Sequence, residues 1–458
     1  MSLISRLSPA LLAVSLLSAC AAPVSEMPER RSAPAAALPP MKTFGAHPTD
    51  RPRRSNAALA ADFMELSFRM ESGRELPTFT RFEGPVSVRV LGNAGNLNAD
   101  LAGLLTRLRR EAGITVTRVD ASQQANVTIE VISRAELQRS VPQAACFVVP
   151  RVTSWADFRR SRRSRAVDWT TLQQREQVAI FLPGDVSPQE IRDCLHEELA
   201  QALGPLNDLY RLPDSVFNDD NFHTVLTGFD MLMLRAYYDP SLRSGMSPRD
   251  VAARLPAILD RINPAGRSGG RVMPDDTPRA WIDAIETALG PRGSDATRRA
   301  AARRAVDIAG ARGWQDTRRG FSLYALGRLS LSESPEAALA AFLGAAQVYG
   351  NSYDTRIQAA HVNMQLAAFA LSNGQPEATL AFVNDSLQVV MDSENAALLA
   401  SLLMLKSEAL EDLGRPSEAR MVRLDSLGWA RYGFGRDQVV RARQSEIAAL
   451  SPRLLRER

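Results

Sequence analysis

Asp185 to Gly204, DVSPQEIRDCLHEELAQALG, holds the residues most able to do chemistry in this chain. Ser187, Pro188 and Glu190 predict a helix start: a serine hydroxyl can take the third-position amide, proline fits the first turn, and a glutamate three residues after the cap completes the capping-box pattern. With about 100° between successive helical residues, Ile191, Leu195, Leu199 and Ala202 share one apolar stripe. Glu198 falls inside that stripe, and Cys194, Glu197 and Gln201 run along its flank. His196 points elsewhere and reads as a surface or second-layer histidine. A carboxylate in an apolar stripe is costly unless it is neutral, paired or bound. Glu198 is therefore either hydrogen-bonded to a neighbouring loop or the remnant of an active site.

The elements that must position this helix precede it. From Ala57 the pattern predicts a helix (ALAADFMELSFRM), a strand (PVSVRVLG), a helix (NADLAGLLTRLRREAG) and two strands (ITVTRVD, ANVTIEVIS). A short apolar run, ACFVVP, ends at Pro150, and VAIFL (Val178 to Leu182) is a further strand leading into the helix. Arg159 to Arg165, RRSRRSR, reads as a solvated loop or as a contact for anionic headgroups and other polyanions.

Strand, helix, two strands, an edge strand and then a helix with polar groups before a glycine resembles the order in metzincin-type zinc peptidases. Their helix carries H-E-x-x-H-x-x-G-x-x-H/D. Aligned on Gly204, Glu198 takes the general-base position, while Glu197, Gln201 and Asn207 take the three ligand positions. Asp214 to Asn218, DSVFN, resembles the family's turn beneath the metal, with Phe217 where methionine is expected, and TGFDMLMLRAYY resembles its closing helix. The resemblance implies a zincin-like α/β sandwich over residues 56–262 whose ligands are degenerate. Neutral amides at Gln201 and Asn207 suit zinc poorly. An oxygen set from Glu197, Gln201, Asn207 or Asp208, with Asp219 or Asp220, would suit calcium better. No cofactor is expected, zinc or calcium being the alternatives. His196, one residue before the frame, is about 100° from Glu197 and cannot readily share a metal with it.

The N-terminus has Arg6, an apolar run from Leu7 to Leu17 and then Leu17-Ser18-Ala19-Cys20, which resembles the lipobox of bacterial lipoproteins. That resemblance implies a signal peptide over 1–20, lipidation at Cys20 and, with Ala21 next, an outer-membrane address facing the periplasm. An ordinary signal peptide cleaved near Ala22 is the alternative. Residues 21–55 read as a disordered tether. With Cys20 taken by lipid in an oxidising compartment, Cys146 and Cys194 are expected to form a disulfide, the alternative being two buried free thiols. The lipobox together with RFEGPVSVRV, CLHEELAQALG, NDD and LRAYYDPSL resembles an uncharacterised proteobacterial lipoprotein family, the domain of unknown function 2927.

DVAARLPAILDRI is an amphipathic helix, and the glycine- and proline-rich stretch 263–276 reads as a linker. From Thr277 to the end, 277–458, every segment reads as helix. SPEAALAAF, QPEATLAFV and RPSEARMVR place Pro335, Pro376 and Pro416 at a near-constant spacing, so the unit is a helical hairpin repeated about three times. Its G-x-P-x-E-A turn resembles tetratricopeptide repeats, which implies binding of protein segments on a concave face. A purely structural cap on the first domain is the alternative.

The fold class expected is therefore α+β: a zincin-like domain followed by an all-α, tetratricopeptide-like array. The chain's 458 residues, with 45% apolar and 23% charged, suffice for at least two cores. Its net charge of +4 is modest, and Lys42 and Lys406 are the only lysines, so nothing points to nucleic acid. There is no P-loop. The expected role is a non-catalytic envelope lipoprotein, held to the membrane by lipid and to an envelope protein by its repeats. The competing role is a metal-dependent hydrolase with Glu198 as general base.

Overall fold

Five short apolar segments build one sheet in the computed structural model, which describes residues 37–45, 50–268 and 275–452. The strands are β1 (Val86–Leu91), β2 (Val116–Arg118), β3 (Val127–Ile132), β4 (Phe147–Pro150) and β5 (Val178–Pro183), ordered β2-β1-β3-β5-β4. All pairings are parallel except that of β4, which runs antiparallel to β5 at the edge. Each of the four segments expected to be a strand is one, and the short apolar run ending at Pro150 forms the fifth. β5 is buried along its whole length, which explains its unbroken apolar run. Val178, Ile180 and Leu182 enter the main core, whereas Ala179 and Phe181 enter a smaller one on the opposite face.

The helices of this part are α1 (Asn56–Phe68), α2 (Leu97–Arg107), α3 (Arg134–Ser140), α4 (Trp155–Ser161), α5 (Pro188–Leu203), α6 (Gly228–Tyr237) and α7 (Pro248–Ile262). α4 corrects the reading of Arg159 to Arg165 as a loop. Trp155 and Phe158 of that helix pack on Phe181, so its last turn carries Arg159 and Arg160 outward and the exposed run continues from Arg162.

Among the described residues nine further helices follow: α8 (Arg279–Leu289), α9 (Asp295–Ala311), α10 (Thr317–Ser330), α11 (Pro335–Tyr349), α12 (Arg356–Ser372), α13 (Pro376–Asp392), α14 (Ala396–Asp412), α15 (Pro416–Phe434) and α16 (Asp437–Ala448). Pro335, Pro376 and Pro416 each open the second helix of a hairpin, where proline costs no hydrogen bond. Small residues allow close packing: a Cβ at Gly433 of α15 would lie 2.6 Å from the Ala397 backbone of α14.

The two parts interlock. Tyr210 and Phe222 belong to the core of the helical array, Tyr210 against Trp281 and Phe222 against Tyr324. Part of the stretch expected to be a disordered tether is instead seated. Phe44 stacks on Trp429 at 4.6 Å, the Lys42 amide donates to the Gly428 carbonyl, and Arg431 donates to that of Pro39. Asp50 accepts from Tyr353 and Arg356, and Arg54 pairs with Asp62 and Asp214. The apolar and charged residues scattered through that stretch find partners only in tertiary structure. Cys20 and the signal segment lie outside the described residues. No helix among the described residues is long and apolar enough to cross a membrane.

Candidate functional site

Helix α5 starts as its sequence requires. The Ser187 hydroxyl accepts from the Glu190 amide, with Pro188 in the first turn. Glu190 does not complete a capping box; its carboxylate pairs with Arg134. Ile191, Leu195, Leu199 and Ala202 are all buried, as the stripe predicts. The far end rests on Arg175, a residue with no local sequence signal. Its buried guanidinium donates to the carbonyls of Gln201 at 2.6 Å, Ala202 at 2.9 Å and Gly204, supplying donors and positive charge where a helix end lacks both. Cys194 is disulfide-bonded to Cys146, tying α5 to the segment leading into β4. Arg192 pairs with Glu394, which holds a left-handed backbone at φ 54°, and Gln189 exchanges hydrogen bonds with Asn395 and the Ala397 amide. The helix is thereby fixed to both halves of the protein.

His196 is buried, which corrects the surface half of its expectation. Its Nδ1 accepts from the Leu226 amide at 3.1 Å, and burial, with Arg192 and Arg107 nearby, holds its pKa well below the usual histidine value. It is a neutral structural ring.

Glu198 is 4% exposed, and its Oε2 has no hydrogen-bond partner, so the neighbouring-loop explanation leaves one oxygen unexplained. Burial, reinforced by Glu197 and Glu71, raises its pKa well above the ordinary value. Burial together with Asp219 and Glu71 pushes Glu197 up to about 8. Asp208 is also driven well up, by burial and then by Glu71, Asp219 and Glu197; it hydrogen-bonds Glu71, and its Oδ1 is bare. Enclosure and Glu71 push Asp219 to about 6, opposed by a hydrogen bond from Tyr210. These five carboxyls form one cluster in which the strongest charges on each of the four shifted groups are other carboxylates. Glu71 lies just after α1 and Asp219 between α5 and α6, so only tertiary structure brings them together.

The ligand frame of a zinc peptidase does not fit these residues. The Asn207 amide donates to the Glu65 carbonyl at 3.2 Å and is spoken for. Among the described residues no three His, Cys, Asp or Glu side chains converge at the spacing of ligands to one metal ion. The turn at Asp214 to Asn218 is held by Asp230, which accepts from the Ser215 hydroxyl and the Val216 amide, while Phe217 is fully buried. It braces the loop that carries Asp219.

Asp219 also lines a cavity of about 880 Å³ between this loop, α5 and the helical array. Its array walls come chiefly from α10, α12, α14 and α16, with Phe321, Tyr324, Met364 and Leu398 among the apolar residues. Alternate helices of the array thus face inward. Asp193 and Asp220 join Asp219 on one side, with Arg298, Arg328 and Arg443 on the other. This cavity escapes sequence reading because no local pattern shows which face of a repeat curves inward.

Residues 56–257 match a family described as Protein of unknown function (DUF2927), the span in which the sequence motifs of that resemblance mostly lie. No curated protein and no solved structure matches the chain.

Proposed function

We propose that this chain is an exported, lipid-anchored protein of the cell envelope that holds a partner's peptide segment against the inner face of its helical array. The cavity of about 880 Å³ carries the reading. It is large enough for a short extended segment, offers aromatic and polar walls, and is held open by a sheet domain locked to the array through Tyr210, Phe222 and α5. The hairpins opened by Pro335, Pro376 and Pro416 fit a tetratricopeptide-like stack, and such stacks bind along their concave side.

The strand and helix order fits a zincin-like domain kept for its surface. Glu198 has the general-base position, but Glu197, Gln201 and Asn207 make a poor set for a Lewis acid that could bring a water's pKa near neutrality. The lipobox at Cys20 supports an outer-membrane address facing the periplasm.

The test is to fill the cavity. Ala368→Trp, on the cavity wall, should abolish recovery of a crosslinked envelope partner. Met421→Trp, on the exposed side of α15, should not. Circular dichroism would show both variants folded. Partner recovery unaffected by Ala368→Trp would sink the proposal. Stoichiometric zinc with peptide hydrolysis lost in Glu198→Gln would replace it with the hydrolase.

A further inference from the structure

Asp219 belongs both to the wall of the cavity and to the carboxylate cluster, and the cluster grades from solvent to core. Glu71 and Asp219 are exposed, Glu197 and Asp208 are half-buried, and Glu198 is buried. The groups facing this funnel are acidic: Glu197 and Glu198 from α5, Glu71 from the loop after α1, Asp208, Asp219 and Asp220 from the loop before α6, and Glu286 of α8 acting on Asp219, while Asp193 of α5 has the Arg192 guanidinium as its strongest neighbouring charge. The cavity's arginines stand on the array side. Arg298 donates to the Ala288 carbonyl and Arg443 pairs with Glu446, and Arg328 lies by Tyr324.

We infer that this funnel receives a long cationic side chain, an arginine guanidinium, from the segment bound in the cavity; the inference rests on the function proposed above. Two observations point to an occupant rather than to a solvated acidic surface. The bare oxygens of Glu198 and Asp208 are buried, where an unmade hydrogen bond is expensive, and no cation of this chain reaches them among the described residues. The spacing also selects the kind of cation. With no three of these groups close enough to share a metal ion, the funnel suits a group that distributes several N–H donors over separated carboxylates. A long apolar stem would lie past Asp219 while its head sits among Glu71, Asp208 and Glu197, within reach of Glu198.

The experiment begins with random heptapeptides displayed on phage and selected on the purified full-length chain in detergent. A selected peptide, made synthetically with a fluorophore, is then measured by anisotropy. Selected peptides should carry Arg at one fixed position. Affinity should fall about tenfold or more when that residue becomes norleucine, and equally in Glu197→Gln or Asp219→Asn, with no further loss when both changes are combined. Glu197→Gln mimics the neutral acid, and Asp219→Asn lies at the exposed mouth, so at least the second variant is expected to fold. Peptides that are displaced by Ala368→Trp but need no basic residue, or that bind Glu197→Gln undiminished, would overturn this inference and leave the proposed function standing. Retention of no peptide at all would overturn both. Calcium chloride alone raising the melting temperature of the parent but not of Glu197→Gln would assign the funnel to a metal ion and refute the organic cation.

Discussion

Glu197→Gln should stabilise this protein at neutral and alkaline pH. The Glu197 carboxyl rises from an ordinary 4.5 to about 8, through burial and then through Asp219 and Glu71. The folded state therefore holds that proton more tightly than the unfolded chain does. Its contribution to stability is fully present below pH 4.5 and is lost as pH rises through about 8. Taken at full value, the shift amounts to about 3 kcal/mol at pH 7 and at most about 5 kcal/mol above pH 8. Glu197 is only half-buried, so solvent screening reduces the expected gain on substitution to about 2 kcal/mol at pH 8. Glutamine keeps the shape of the neutral acid and removes a charge that also repels Glu198 and Asp208. Urea unfolding of parent and variant at pH 5, 7 and 9 gives the answer directly. The difference should be small at pH 5 and widen with pH. A pH-independent difference, or a variant less stable than the parent at pH 9, would refute the carboxylate cluster as drawn.

Arg175→Met should cost about 3 kcal/mol, because it leaves carbonyls of Gln201, Ala202 and Gly204 buried without donors; unchanged urea unfolding would contradict that support for α5. Replacing both Cys146 and Cys194 by alanine opens a loop of 48 residues and should cost about 4 kcal/mol. Equal stability of oxidised parent and double variant would show that the bond contributes nothing. Gly228→Ala would place a Cβ 1.7 Å from the Asp50 carbonyl oxygen, so the segment at 50–54 must lift away. The expected cost is about 1–3 kcal/mol, with faster proteolysis near Arg51 to Arg54, and an unaltered digestion pattern would argue against the close approach.

Local chemistry is what made parts of this fold readable. The cap at Ser187, the apolar stripe on α5, four of the strand segments and the three prolines that open helices are each written in a few neighbouring residues. The cysteine pair is legible by counting thiols, and Cys146 and Cys194 are bonded in the structure. Residues whose role depends on distant chain segments were not readable. Arg175 becomes a helix-end donor only once the loop before β5 passes the end of α5. Phe44 is an isolated aromatic in a proline-rich stretch until Trp429 is beside it. Glu198 stands out because it breaks the stripe's pattern, but Glu71 and Asp219 break no pattern, and their convergence adds to burial in raising the neighbouring carboxyls.

Occupancy of the inner face can be read by photocrosslinking in the cell. A benzoylphenylalanine is placed at Met364, inside the cavity, and in a second strain at Met421, 66% exposed on α15. A partner segment held in the cavity predicts one discrete adduct from position 364, none from 421, and loss of the adduct when Ala368→Trp is added. No adduct from 364, or equal adducts from both positions, would contradict it.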